Sequence, residues 1–195
     1  MSETSCSSNA IEVRSVTAAD LDDILRLARA AQLNPEMDTE KGFLVAALGR
    51  DTYANALAYS ELGDNAEHVV FLIAKSNENA VGFLFGYNDV YASRRSGSES
   101  EAEIAARCKD TYYVLKQIAA DLNGRHKGIG RVLVQEFLSR LSCTYVFSAI
   151  VTDPANPASC AFHRKMGFVP VFSSVSRSSN GQTYPNQVWR RTCLA

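Results

Sequence analysis

The segment Arg125-His126-Lys127-Gly128-Ile129-Gly130 constrains this chain more than any other stretch. Tyr112 to Ala120, just before it, reads as a buried strand. Arg131 to Leu141, just after it, reads as a helix. Ile129, Val132, Leu133, Val134, Phe137, Leu138 and Leu141 give that helix a broad apolar face. A strand that passes through a glycine-punctuated turn into a helix leaves the first helical N–H groups without partners, and the helix dipole adds positive charge there. Gly128 and Gly130 have no Cβ, so a bulky anion can come close to the backbone. Arg125, His126 and Lys127 add charge at the rim. The backbone from Arg125 through Gly128, Ile129 and Gly130 to Arg131 is therefore a candidate cradle for a diphosphate. The next run, Thr144 to Val151, reads as another buried strand, which completes a βαβ unit with its two strands parallel. The turn lacks a G-K-[ST] ending and three-glycine spacing, so it is neither a P-loop nor a dinucleotide fingerprint.

A second segment follows at Asn156-Pro-Ala-Ser-Cys-Ala-Phe-His-Arg-Lys-Met-Gly167-Phe168. Asn156 before Pro157 is a strong helix start, and Gly167 is a natural stop. Arg125-x-x-Gly128-x-Gly130 resembles the R/Q-x-x-G-x-G/A signature of the GNAT superfamily of N-acyltransferases. The Asn156–Phe168 segment resembles that family's second signature, N-x-x-[AS]-x-x-[hydrophobic]-Y-x-[KR]-x-G-F. The resemblance covers Tyr112 to Val171 well and the first half of the chain in outline.

The resemblance implies a mixed α+β fold. Its twisted sheet of six or seven strands is flanked by helices and splayed between the two central parallel strands. It implies acetyl-CoA as cosubstrate, with the diphosphate on the Arg125–Arg131 cradle and the pantetheine arm along the backbone of Ile118 and Ala120. Asn156 matches the family Asn that contacts the arm, while its local reading is the helix N-cap. An oxyanion would meet the backbone N–H near Ala120. The family's acid Tyr is replaced by His163, whose imidazole can also act as general acid. Tyr112, Tyr113 or Tyr184 are alternatives, and proximity alone is another. Asp121 and Asp153, at the ends of the two strands, are candidate bases or plain turn formers. The expected activity is acetyl transfer to a primary amine by direct attack in a ternary complex. The acceptor is a small-molecule amine or a protein amino group. The alternative is a non-catalytic acyl-CoA-binding regulator on the same fold.

Composition narrows the classes. The chain has 195 residues and a net charge of −1, so no global basic field attracts nucleic acid or acidic membranes. No apolar run approaches the ~20 residues of a membrane span. The five cysteines (Cys6, Cys108, Cys143, Cys160, Cys193) are scattered with no C-x-x-C pair, which argues against zinc or a disulfide framework and for a reducing, cytoplasmic setting. The N-terminus shows no signal-peptide pattern. Residues 1–10 are expected to be a disordered tail before one domain spanning 11–195.

The first half reads as strand Ile11–Val16, a helix opened by Thr17-Ala-Ala-Asp20, and helical pieces across Glu36–Leu62 broken near Gly49. Strands His68–Ala74 and Ala80–Tyr87 follow, with Gly82 and Gly86 marking a bulge or close approach. Tyr53 and Tyr59 read as packing residues, while the family resemblance implies that this region borders an acceptor pocket they could help to shape. The stretch Ala92–Ala106 is polar, then helical. It reads as a solvated linker, or as a lid or homodimer contact over the open side of the site. Val169–Val175 and Gln187–Thr192 complete the sheet.

Overall fold

The structure is a computed structural model that describes residues 10–34, 42–95, 97–121, 127–177 and 181–193. Strand β1 (Ile11–Ser15) leads into a 3-10 turn at Ala18–Asp20 and helix α1 (Leu21–Ala30). The expected capping box forms, with Thr17 N–H donating to Asp20 at 2.9 Å. Asp20 also takes both guanidinium arms of Arg14 at 2.7 Å, and that pairing holds its carboxyl well below the usual range. The face of α1 made by Leu21, Ile24, Leu25 and Ala28 is buried.

One expectation fails here. Helix was expected in two pieces across Glu36–Leu62, yet among the described residues only α2 (Arg50–Ser60) forms, and Gly42–Gly49 is irregular, with one isolated bridge from Leu44 to Gln32 (36–41 lie outside the described residues). The physical reason is tertiary capture of backbone groups. Leu44 N–H donates to Ala31 O at 2.8 Å, and Leu33 N–H donates to Leu44 O at 2.7 Å. Ala46 O accepts from Gln117 Nε2 at 2.9 Å, and Phe43 O accepts from Asn156 Nδ2 at 3.1 Å. These carbonyls are bonded across the fold instead of along a helix.

Strands β2 (Val69–Ser76) and β3 (Asn79–Asn88) form a hairpin whose turn places Asn77 and Glu78 at positive φ. Short helix α3 (Asp89–Ser93) and helix α4 (Glu99–Arg107) occupy the stretch flagged as a linker or lid. Strand β4 (Tyr112–Ala120), helix α5 (Ile129–Ser139), strand β5 (Tyr145–Val151) and helix α6 (Pro157–Lys165) follow closely as expected, with α5 starting two residues early. Strands β6 (Val169–Arg177) and β7 (Thr183–Thr192) are longer than their apolar runs.

The sheet order is β1-β2-β3-β4-β5-β7-β6, and β4–β5 is the parallel pair. Side chains alternate between two cores. One joins α1, α2 and Ile104 of α4 to Phe71, Phe83, Phe85 and Val114. The other joins α5 to Leu72, Leu84, Leu115, Phe168 and Trp189. The flagged glycines mark close approach to α5: a Cβ at Gly82 would meet Ile129 at 2.5 Å, and one at Gly86 would meet Phe137 at 2.7 Å.

The feature that positions a site is the break in the middle. β4 and β5 pair only over Tyr112–Val114 and Tyr145–Phe147. Beyond that, β4 stays with β3 to Ala120 and β5 stays with β7 to Val151, so a wedge opens between them. The register of β3 against β4 shifts just there: Phe85 lies opposite Gln117 and Gly86 opposite Leu115, which makes Lys116 the extra residue. Such a bulge bends the strand and increases its twist.

Candidate active site

Two connected cavities fill the wedge. One of about 470 Å³ runs between Val114–Ile118 and Ser148–Val151 toward α2, α4 and the β6–β7 end. The other, of about 520 Å³, lies over Ile118–Asp121 and the start of α5. They share Phe43, Leu44, Ile118 and Ser159.

The backbone of β4 offers donors to this space. Asp121 N–H donates to Val81 O of β3 at 2.8 Å. Strand alternation then turns the N–H groups of Ile118 and Ala120 the other way, into the wedge, where no strand pairs with them. Ala149 shows the same gap from β5: it is exposed although it lies mid-strand.

At the start of α5 the first helical bond runs from Val132 N–H to Gly128 O at 3.1 Å, so the N–H groups of Ile129, Gly130 and Arg131 precede the ladder. Gly128, Gly130 and Arg131 line the second cavity, Lys127 is exposed beside it, and the Ile129 side chain is buried in the core. The two glycines have different reasons. Gly128 sits at φ +88, in the left-handed region. At Gly130 a Cβ would press on Phe162 of α6 at 3.0 Å, so its absence lets α5 and α6 approach. Arg125 and His126 lie outside the described residues. Lys165 of α6 lines this cavity too, a cation that sequence reading did not single out.

Asn156 has both ends of its amide engaged: Oδ1 accepts from Ser159 N–H at 3.3 Å and Nδ2 donates to Phe43 O at 3.1 Å. It is the helix N-cap and it also fastens the Phe43 loop to α6.

His163 is 2% exposed and lines the wedge cavity. Its Nδ1 lies 2.8 Å from Ser159 O, which can only accept, so Nδ1 carries the proton. Nε2 then accepts from Ser148 Oγ–H at 3.1 Å. Burial, which outweighs the bond to Ser159, pushes the imidazole down to about 4. The ring is neutral near pH 7. Of the alternative acids, Tyr113 O–H is given to Glu67 O, and Tyr112 packs edge-on against Phe147; burial raises both to about 12. Tyr184 lines the wedge cavity and donates to Gln182 at 2.7 Å. Of the candidate bases, Asp121 lines the second cavity and Asp153 is exposed.

The far end of the wedge holds residues that sequence reading missed. Glu101 of α4 is buried and paired with Lys116 of β4 at 2.5 Å, and Ser98 Oγ–H donates to it at 3.1 Å. Its carboxyl is held below the usual range: burial raises it, and the Lys116 charge and hydrogen bond, with smaller contributions from Arg95 and Tyr87, together outweigh that. The sequence signal was weak, because Glu101 falls in a run of Ser and Glu that looks solvated.

The acetyltransferase (GNAT) family model matches residues 28–168, and the chain belongs to that family. No curated protein matches it in sequence. Among solved structures it is similar to the ribosomal-protein-S18-alanine N-acetyltransferase of Escherichia coli, at 13% identity and TM-score 0.63, covering 95% of this chain and 96% of that one. It is similar to Arabidopsis thaliana NAA60 in complex with a bisubstrate analogue, at 16% identity and TM-score 0.65, covering 94% and 98%. It is also similar to Ard1 from Thermoplasma volcanium, at 18% identity and TM-score 0.65, covering 95% and 99%. At these identities the likeness is one of fold. Among the described residues no helix is long and apolar enough to cross a membrane.

Proposed function

We propose that the chain is an N-acetyltransferase that moves an acetyl group from acetyl-CoA to a primary amine by direct attack in a ternary complex. The observation that carries this reading is the unpaired edge of β4 beyond Val114, continuous with the open start of α5. Pantetheine amides would bond Ile118 and Ala120 as a missing strand. The diphosphate would sit on the N–H groups of Ile129, Gly130 and Arg131, with Arg131, Lys165 and Lys127 nearby. Arg125 and His126 belong to the same proposed cradle. Asn156 would act indirectly, by holding the Phe43 loop against the arm.

In the reaction the amine nitrogen attacks the thioester carbonyl carbon, and the developing oxyanion is met by a β4 backbone N–H near Ala120. The C–S bond then breaks. The nitrogen must lose one proton and the sulfur must gain one. His163 would act first as a base through Ser148: Ser148 Oγ takes the proton from nitrogen as its own passes to Nε2. The imidazolium so formed is buried and strongly acidic, and returns the proton along the same path to the thiolate, whose pKa is about 8.5 by analogy with cysteine.

Titrating acetyl-CoA by calorimetry, then measuring free thiol release across a panel of amines, tests the reading. Saturable binding with amine-dependent thiol release is expected. Binding without release from any amine would favour the regulator, and absence of binding would refute both.

A further inference from the structure

The β3–β4 connection, which the sequence left as linker or lid, closes the acceptor side of the wedge. Helix α4 is fastened at both flanks. On one side Glu101 pairs with Lys116 of β4. On the other, Ser100 Oγ lies 2.6 Å from Ser174 Oγ of β6, and Asn186 Nδ2 of β7 donates to Ser100 Oγ at 3.2 Å. Arg177 N–H donates to Glu99 at 3.1 Å. Ser100, Glu101 and Ile104 are buried, so this is a packed roof that spans from β4 to β6. The cavity beneath it has about 470 Å³, the size of a small-molecule site, and the pantetheine end must occupy part of that. An extended polypeptide needs ~3.3 Å of groove per residue. Of the residues that line this cavity, Gly49, Ala149 and Arg177 are exposed, while Ser100, Glu101 and Ile104 of α4 are buried.

The chemistry of the walls narrows the class further. Charged side chains at the acceptor end are Glu101 and Lys116, which neutralise each other, and Arg177 at the rim beside Glu99. The remaining polar groups there include the hydroxyls of Ser98, Ser176 and Tyr184 and the amide of Asn186. Neutral hydroxyls and amides suit a partner that donates and accepts hydrogen bonds without bringing further charge. A second ammonium would find, among the described lining residues, only the Glu101 carboxylate, which the Lys116 charge already balances, and would be buried at a cost.

We infer that the acceptor is a small primary amine with a neutral, hydroxylated body (an amino alcohol or amino sugar), that the α4 roof excludes polypeptide amino groups, and that the charge balance of the walls excludes polyamines. This rests on the acetyltransferase reading above. The test uses the intact chain with acetyl-CoA, after calorimetry has established acetyl-CoA binding. Thiol release is measured with ethanolamine, D-glucosamine, spermidine, and heptapeptides with free α-amino groups and varied first residues. At least one hydroxylated amine is expected to exceed every heptapeptide and spermidine in kcat/KM by ~100-fold or more. A heptapeptide or spermidine that matches the hydroxylated amines overturns the inference and leaves the acetyltransferase reading intact. Failure of both hydroxylated amines to react also overturns it. Absence of acetyl-CoA binding overturns the parent reading and this inference together.

Discussion

The cofactor wall of the wedge comes mainly from neighbouring stretches of sequence, β4, the turn, α5 and α6, with Ala31 and Gly42–Leu44 beside them, whereas the acceptor wall is assembled from three distant ones: the Phe43–Thr52 segment, α4, and the β6–β7 end. The first is held by backbone geometry: a bulge in β4, an unpaired strand edge and a helix start. The second is held by side-chain bonds between remote residues, such as Lys116 to Glu101 and Asn186 to Ser100. Backbone devices tolerate many side chains, so one cofactor wall can serve many acceptors. Side-chain walls can change one residue at a time. The two walls should therefore respond separately to substitution.

The sharpest way to break that comparison is to fill the gap itself. Ala149 pairs with Val188 of β7 through its backbone while its other edge faces the wedge. Ala149→Phe puts a ring where the pantetheine arm is proposed to lie. Acetyl-CoA affinity should fall by ~10³-fold, or about 4 kcal/mol. The melting temperature should change little, because no core residue is displaced. Calorimetry alongside thermal unfolding checks this. Undiminished binding would place the cofactor elsewhere.

The next test lies where the walls meet. His163 is neutral in the fold, pushed down to about 4 by burial, against about 6.5 for an unfolded histidine. A depressed pKa means that the unfolded chain binds the proton more readily. The contribution of His163 to stability is therefore full above pH 6.5 and is lost as pH falls toward 4. The difference amounts to about 3 kcal/mol at ~1.36 kcal/mol per pKa unit. Loss of the Asp20 contribution begins lower, near the ~3.9 of an unfolded aspartate, and continues below that because its folded carboxyl is held well under the usual range. Denaturant unfolding at steps from pH 7 to pH 4 should show the slope, and His163→Phe should flatten it. The same variant should lower kcat by ~10²-fold, with KM for acetyl-CoA nearly unchanged. Unchanged kcat would remove His163 from the proton path.

How much of this was legible in the sequence follows from the same contrast. The βαβ unit could be read because period-2 and helical patterns there agree with the glycines and with the Asn156-Pro157 start. Even so, two details changed. Gly130 serves helix packing against Phe162, and His163 is no imidazolium, because burial depends on residues far away in sequence. The segment Gly42–Gly49 misled, since Phe43, Ala46 and Ala47 have helical spacing while the carbonyls of Ala46 and Phe43 answer to Gln117 and Asn156. Glu101 was hidden by a polar neighbourhood, because nothing local pairs it with Lys116.

Asn156 ties the two walls together, so truncating it should affect both. Asn156→Ala removes an N-cap worth ~1 kcal/mol and the bond that holds the Phe43 carbonyl, worth roughly another 1 kcal/mol. A loss of about 2 kcal/mol in stability is expected, together with an acetyl-CoA affinity lower by ~10-fold as the loop loosens. Urea unfolding and calorimetry measure the two. A loss of stability without loss of affinity would separate the loop from the cofactor wall.

The smallest effect on a binding or kinetic constant should isolate the acceptor wall. Ser100→Ala cuts α4 from Ser174 and Asn186 but leaves the Glu101–Lys116 pair intact. Asn186 keeps Ser176 as a partner at 2.5 Å, while Ser174, which is buried, loses the Ser100 hydroxyl. Ser100 Oγ also lies 3.2 Å from Ser176 Oγ, so three contacts are lost and the expected loss is about 1–3 kcal/mol. Among the described residues the hydrogen-bond partners of Ser100 Oγ are Ser174, Ser176 and Asn186, all on β6 and β7, so acetyl-CoA affinity should stay within about two-fold, a difference of ~0.4 kcal/mol. KM for the acceptor amine should rise by ~3–10-fold as the roof loosens. Parallel titrations of acetyl-CoA and of the acceptor would show the split. If both constants moved together, the walls would be one cooperative unit, and α4 would belong to the cofactor site as much as to the acceptor's.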